Sequence, residues 1–547
     1  MPPLFINEKL KQEYYDKGYW STSTVFDHFF EAVNKFPDQI ASVDNTRKLT
    51  YKQLLVEVNK TVNGLKQLQV KKGDFISVQL PNWVENVIIY LACAKIGAIY
   101  NPIPITARLQ ELKYIISLCE SKVLFIPELY RNFNYMNLVK NVQRDHPISH
   151  VIVVRGDLNN EESDAFIYFE ELQTYLPTEI GQDDQEVKSD DLLVVLFTSG
   201  TESMPKGVVH THNTILFVVK SMIETLFITK DDTVFMPSPV SHATGFLYGM
   251  NLPLTIGAKS VLMEHFVAKE ALKMITEEKC TFSMGATPFL HDLLIEITRQ
   301  EGKINLDHFR FFLCGGAPIP RHLVNEANKI GFKVLAVYGS SESPPHTVSR
   351  LDDSDELILS SDGKPVPGID VKIVDNNHEE LPDGEIGEEA SRGPNVFLGY
   401  LKQPELTQKY LDHDGWYYSG DLCVLLPEQY IRVVGRKKDI IIRGGQNISP
   451  GEVEEILYRH PKVQQVAIIG VPDERMGEKA WALVVPVEGE KLTFAEMIEF
   501  LSQQNIAKYK YPEKLRLVSD LPRTSSGKIQ KYKLREMVEK DLGIISK

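Results

Sequence analysis

Long apolar runs, paired cysteines and excess positive charge are all missing from this chain of 547 residues. Its greasiest stretch, residues 87–105, is interrupted by Lys95, Gly97, Asn101, Pro102 and Pro104. That pattern fits a buried helix and strand, since a membrane span needs about 20 unbroken apolar residues. The five cysteines, Cys93, Cys119, Cys280, Cys314 and Cys423, are scattered and form no CxxC pair. A disulfide scaffold and a structural zinc site are both disfavoured. Basic side chains number 60 against 74 acidic ones, a formal charge of −14. This balance does not favour a nucleic-acid backbone, so no nucleic-acid partner is expected. Small anions stay admissible, because local positive charge can act within an acidic protein. The first residues lack the apolar core of a signal peptide, and no repeat of a few tens of residues marks a solenoid. The expectation is a cytoplasmic, globular protein of roughly three or four domain-sized units. It has no integral membrane segment, and a homodimer is an admissible assembly.

What is present is a distinctive loop. The branched apolar run from Leu192 to Phe197 reads as a buried strand. It leads into T-S-G-T-E-S-M-P-K-G at 198–207. Hydroxyls and exposed backbone N–H groups on a tight loop bind phosphate oxygens, and Lys206 adds a mobile positive charge. The common P-loop needs Gly directly before its Lys and Ser or Thr after it; here Pro205 and Gly207 flank Lys206. Taken alone, the segment also reads as a polar strand-to-helix turn.

Helical patterns alternate with short apolar runs such as 123–126 and 151–154, which predicts an α/β fold with largely parallel strands. The acidic stretch 179–191 reads as a surface connector. After about residue 350, turn signals such as Asp362-Gly363, Pro367-Gly368 and Asp414-Gly415 predict a small β-rich subdomain. Charge and glycine concentrate at 435–445. Beyond them, 451–457 and 494–501 read as helices, and 466–469 and 481–485 as strands. A separate α+β domain of about a hundred residues is a reasonable size. The boundary falls near 435–438.

Four further segments meet the needs of a nucleotide site. In Tyr338-Gly339-Ser340-Ser341-Glu342, a tyrosine face can stack on a purine and a carboxylate is a hard oxygen ligand for Mg²⁺. Cys314-Gly315-Gly316-Ala317-Pro318 would let a flat base or acyl chain approach the backbone. Trp416-Tyr417-Tyr418-Ser419-Gly420-Asp421 offers an acid to ribose hydroxyls, and Arg523-Thr524-Ser525-Ser526-Gly527-Lys528 presents one lysine on a loop. Each alone has an ordinary explanation as a surface turn, a hairpin or a solvated lysine.

Together, in this order, they closely resemble the adenylate-forming superfamily of acyl-CoA synthetases, peptide adenylation domains and firefly luciferase. The resemblance runs from Leu49-Thr50-Tyr51 to Lys528. It includes Arg392-Gly393-Pro394 with Gly399-Tyr400, Gly435-Arg436-Lys437-Lys438-Asp439, and the segment from Arg443-Gly444-Gly445 to Pro450. Segments 238–246 and 389–396 are most similar to short- and medium-chain fatty-acid and cyclohexanecarboxylate CoA ligases.

The resemblance implies a large multi-subdomain adenylation domain over 1–434, a hinge at 435–438 carrying Lys438, and a small mobile domain over 439–547. It implies two steps with ATP, Mg²⁺ and coenzyme A. A carboxylate attacks the α-phosphate to give acyl-AMP and pyrophosphate; the CoA thiol then takes the acyl group and releases AMP. Thr198, Ser199, Gly200, Thr201 and Lys206 are expected on the β- and γ-phosphates, and Glu342 with Thr198 at Mg²⁺. Ser341 is expected at the α-phosphate, and Tyr338, Gly339 and Ser340 with Gly315, Gly316, Ala317 and Pro318 around adenine. Asp421 and Arg436 are expected on the ribose. Lys528 is expected to bridge carboxylate and α-phosphate, offsetting charge between two anions. After rotation of the small domain, Arg443, Gly444 and Gly445 would face the pantetheine arm. His242, Gly245, Phe246, Gly316 and Ser340 are expected to line an acyl pocket.

Three positions depart from the family pattern: Glu202 and Ser203 stand where Thr and Gly are usual, and Ser341 where Thr is commonest, a change that keeps the hydroxyl. A carboxylate facing a triphosphate would weaken binding, so Glu202 is expected to point away. The segment 238–246 holds no acid to pair with a substrate ammonium, so an amino-acid substrate is disfavoured. A stand-alone enzyme loading a carrier protein is the alternative. A degenerate nucleotide-binding protein is disfavoured by the retained Lys206, Glu342, Asp421, Arg436 and Lys528.

Overall fold

The structure is a computed structural model that describes residues 7–157, 166–175, 186–198, 204–300, 304–316, 319–504, 506–524, 527 and 529–543. Among these residues the strands build sheets of nine, seven, four and five strands, with one two-stranded ribbon.

The centre of the nine-stranded sheet is parallel. Strand Lys333–Tyr338 pairs with Phe311–Gly315, which pairs with Phe282–Gly285; Thr233–Met236, Lys259–Leu262 and Ile40–Val43 follow in the same sense. The seven-stranded sheet carries the apolar runs read from the sequence, Val123–Pro127, His150–Val154 and Leu192–Thr198. Their near-continuous burial is what a sheet covered on both faces requires. One large apolar cluster draws Ala41, Val234 and Leu335 from the first sheet and Ile76, Val123 and Val194 from the second. Helices Val84–Ile96 and His212–Thr225 contribute to the same cluster. The first of these is buried from Val84 through Ala94. A helix apolar on all sides belongs in an interior, which explains the greasy stretch at 87–105. Among the described residues no helix is long and apolar enough to cross a membrane.

The β-rich segment after residue 350 forms the four-stranded antiparallel sheet Asp370–Val374, Ile386–Arg392, Tyr417–Leu425 and Ile431–Arg436. A single 3₁₀ turn, Lys437–Asp439, then leads to Ile441–Arg443, the first strand of the five-stranded sheet. That last sheet has its own apolar core of Ile441, Val453, Val466, Ile468, Val484 and Met497, among others. All five cysteines are buried and free.

Candidate active site

The C-terminal ends of parallel strands converge on one cleft of about 1950 Å³. Met236 is followed there by Pro237, Gly285 by Ala286 and Thr287, Gly315 by Gly316, and Tyr338 by Gly339; these following residues line the cleft. Ligands of open α/β sheets bind at this edge, where loops leave the strands.

The opposite wall comes from the four-stranded sheet. Antiparallel register sets Asp421 directly across from Arg436, so residues far apart in their motifs become neighbours. The Arg436 Nε is 3.0 Å from Asp421 Oδ1, and Asp421 holds the guanidinium above its usual pKa. The Tyr338 hydroxyl donates to Asp421 Oδ2 at 2.9 Å. Burial, reinforced by Asp421, pushes the Tyr338 phenol far up, so it remains a donor. Tyr338, Gly339, Asp421 and Arg436 all line the cleft. They form a corner with an aromatic ring, an acid and a cation, suited to a base and a ribose.

The loop after Leu192–Thr198 differs from the strand-to-helix reading. It joins that strand to Lys206–Thr211 in an antiparallel hairpin, and Thr198 lies opposite Lys206. Directly opposed side chains share a face, so the hydroxyl and the ammonium are presented together. Segment 397–401 runs along the same hairpin: Leu401 N donates to Gly207 O at 2.8 Å and Leu398 N to Val209 O at 3.0 Å. This brings Tyr400 beside Lys206, whose Nζ stands 5.2 Å from the Tyr400 ring and 4.6 Å from the Tyr410 ring. The Tyr400 hydroxyl donates to Glu342 Oε1 at 2.8 Å. Burial first, then the Glu342 charge, raises the Tyr400 phenol far above its usual range.

Ser341 is held from behind. Its carbonyl oxygen is 2.8 Å from His210 Nε2, and His210 Nδ1 is 3.1 Å from Thr214 Oγ1. Burial lowers the His210 pKa to about 4, so the ring is neutral at pH 7. Neither His210, Tyr400 nor Tyr410 was assigned a role from sequence. Only Tyr400 carried a signal, as part of the Gly399-Tyr400 motif.

Of the residues expected around an acyl group, Gly316 lines the cleft. His242 and Ser340 are partly buried. Gly245 begins a π-helical segment, Gly245–Asn251, and Phe246 is fully buried against Tyr90 and Tyr100, with centroids 5.1 and 6.1 Å away. Apolar cleft residues that sequence reading missed are Pro237, Pro239, Ala286 and Phe289.

The small domain closes the cleft. Arg432 Nη2 is 2.9 Å from Glu455 Oε2 across the boundary, and Ser449 Oγ donates to the Val434 carbonyl. Lys437 pairs with Glu388 at 3.0 Å. Arg523 and Ile529 bridge the base of a turn, and a Cβ at Gly527 would lie 2.9 Å from Ala286 Cβ. This turn therefore abuts the strand ends. Lys528, like Ser199, Gly200, Thr201, Glu202, Ser203, Ala317 and Pro318, lies outside the described residues. Arg443, Gly444 and Gly445 sit elsewhere. The two glycines, with φ of 56° and 80°, turn a tight hairpin, and Arg443 Nη2 pairs with Glu513 at 2.8 Å.

Among the described residues no three His, Cys, Asp or Glu side chains are grouped to hold a metal. One nearly buried carboxylate, Glu342, beside a lysine-bearing hairpin fits Mg²⁺ in its usual mode, through one or two carboxylates plus substrate phosphates and water.

A cleft with a base-and-ribose corner, and in the same strand-end segment a hard carboxylate tied through Tyr400 to a cationic hairpin, fits an enzyme that binds a nucleoside polyphosphate. The chain belongs to the AMP-binding enzyme family: residues 29–401 match that family, and 452–528 match its C-terminal domain. It is similar to the medium-chain fatty-acid–CoA ligase of Escherichia coli (strain K12), with 42% identity over 98% of this chain and 94% of that one. The human mitochondrial medium-chain acyl-CoA ligase ACSF2 is 31% identical over 91% of this chain and 84% of its own. Among solved structures, ATP-bound MatB from Rhodopseudomonas palustris superposes with a TM-score of 0.84 at 27% identity, covering 95% and 100% of the two chains. Apo MatB gives 0.74 over the same coverage. The protein is an ATP-dependent, AMP-forming acid–thiol ligase using ATP, Mg²⁺ and coenzyme A.

Proposed function

We propose that the chain activates a medium-chain, apolar carboxylic acid and transfers it to CoA. The observation that carries the reading is the convergence of Tyr338, Asp421 and Arg436 with the Glu342–Tyr400–Lys206 group at the strand ends. The acid's class is supported by the apolar cleft residues and by the names of the two medium-chain relatives.

In this reading Tyr338 and Gly316 border adenine, while Asp421 and Arg436 take the ribose hydroxyls. Thr198 and Lys206 hold the departing pyrophosphate. Glu342, oriented by Tyr400, holds Mg²⁺, which when bound neutralises charge on the phosphates. The acid is already ionised at neutral pH, so no general base is needed and positioning dominates. Lys528 is assigned the role of offsetting charge between the acid and the α-phosphate. The greater similarity to ATP-bound than to apo MatB supports an arrangement suited to the first step. The second step then needs rotation about Lys438 to bring Arg443, Gly444 and Gly445 to the cleft. Rotation also parts Arg432 from Glu455.

The test is a panel of C2–C12, branched, alicyclic and aromatic acids assayed for AMP release with and without CoA. Medium-chain acids are expected to give the highest CoA-dependent turnover. Activation without any CoA-dependent release would point to a carrier-protein acceptor instead.

A further inference from the structure

Behind the nucleotide corner lies a buried histidine–glutamate contact that the reaction does not use. His346 Nε2 is 3.2 Å from Glu389 Oε1, and the two side chains are 1% and 0% exposed. Burying a carboxylate this deeply is costly unless it is paired. His346 Nδ1 is 3.2 Å from both the hydroxyl and the carbonyl oxygen of Ser343. Among the described residues neither His346 Nε2 nor Glu389 Oε1 has a hydrogen-bond partner, so the two atoms meet at 3.2 Å without a well-formed hydrogen bond.

The pair joins two sheets. His346 precedes strand Thr347–Val348, and its backbone N–H donates to Tyr338 O at 3.1 Å. Its ring meets the Tyr338 ring edge-on at 5.1 Å and 74°. Glu389 belongs to Ile386–Arg392 of the four-stranded sheet. Its carbonyl oxygen accepts from Ser419 Oγ at 3.0 Å, and that hydroxyl accepts from Asp421 N at 3.1 Å. Glu389 Oε2 also lies 3.4 Å from the Tyr338 hydroxyl that donates to Asp421. One end of the pair thus touches the base wall, and the other touches the strand bearing the ribose acid. Buried polar atoms without hydrogen-bond partners cost stability, so stability alone does not account for the contact.

We infer that His346 and Glu389 are positioning residues that fix Tyr338 against Asp421 and so set the fit of the nucleotide's base and ribose. The inference rests on the nucleotide corner proposed above. The test compares Glu389→Gln, His346→Gln, the double variant and Asp421→Asn, reading KM for ATP, kcat, KM for the acid and the preference for ATP over 2′-deoxy-ATP. Each single variant is expected to raise KM for ATP about tenfold with kcat and acid KM nearly unchanged. Ribose preference should fall by a similar factor. The double variant should lose less than the product of the singles, because the two side chains touch and act on the same tyrosine. Should the singles not fold, the double variant carries the same readings. If Asp421→Asn leaves ATP KM and ribose preference unchanged, the nucleotide corner itself is misread. If Asp421→Asn shifts both while the pair's variants lower only the thermal midpoint, the pair is merely structural and the inference is overturned.

Discussion

Single side chains at this site act through a partner that the linear motif does not show. Glu342 is proposed as a metal ligand, and its orientation depends on the Tyr400 hydroxyl 2.8 Å away. A hydrogen bond to a charged group is worth about 1.5–3 kcal/mol. Tyr400→Phe is therefore expected to lower kcat/KM for MgATP at least about tenfold, roughly 1.4 kcal/mol, and to raise the Mg²⁺ concentration needed for half-maximal rate. An unaltered Mg²⁺ titration would remove Tyr400 from the site. His210 makes a pH prediction. Burial lowers its pKa from 6.5 to about 4, so the unfolded chain binds protons more readily than the folded one. Its stability contribution is complete above pH 6.5 and declines as pH falls towards 4. At pH 5 the loss is roughly 2 kcal/mol. Denaturant unfolding at pH 7 and pH 5 should show His210→Gln losing about that much less than the parent protein. Equal losses would mean that His210 titrates normally.

At the scale of elements, periodicity located runs such as 123–126, 151–154 and 192–197, because continuous apolar runs mark buried parallel strands. It did not single out the cleft strands Thr233–Met236 and Phe282–Gly285. Strand partners were not legible, since hydrogen bonding between strands leaves no local trace in sequence. The 198–207 loop shows the difference. Its composition suited a turn into a helix, whereas pairing of Thr198 with Lys206 makes it a hairpin. The π-helical segment Gly245–Asn251 was likewise invisible. Its first residue must be glycine, because a Cβ there would lie 2.2 Å from the Pro239 carbonyl oxygen. Gly245→Ala is expected to destabilise the protein by about 1–3 kcal/mol, read as a lower midpoint in thermal unfolding. An unchanged midpoint would show that the segment yields at no cost.

Across the whole molecule, the proposed rotation about Lys438 implies two arrangements of the small domain. The contacts described hold one of them: Arg432 to Glu455, Ser449 to Val434, and the 523–529 turn against Ala286. Lys528→Ala is expected to abolish nearly all acid-dependent pyrophosphate release while leaving thioester formation from supplied acyl-AMP largely intact. Lys438→Pro, which stiffens the 3₁₀ turn between the sheets, should do the reverse. Measuring both half-reactions in both variants decides the matter; equal loss in each would contradict alternation.

The sequence by itself determined the family, because several short motifs in one order are specific together where each alone reads as an ordinary turn. The roles proposed for Lys206, Glu342, Asp421 and Arg436 follow from that resemblance. Only the tertiary structure decided how these groups meet: strand ends gather at one edge, register sets Asp421 opposite Arg436, and the hairpin places Lys206 beside Tyr400. Supporting residues such as His210, His346 and Glu389 gain their meaning from burial and neighbours distant in the chain, which no local pattern records.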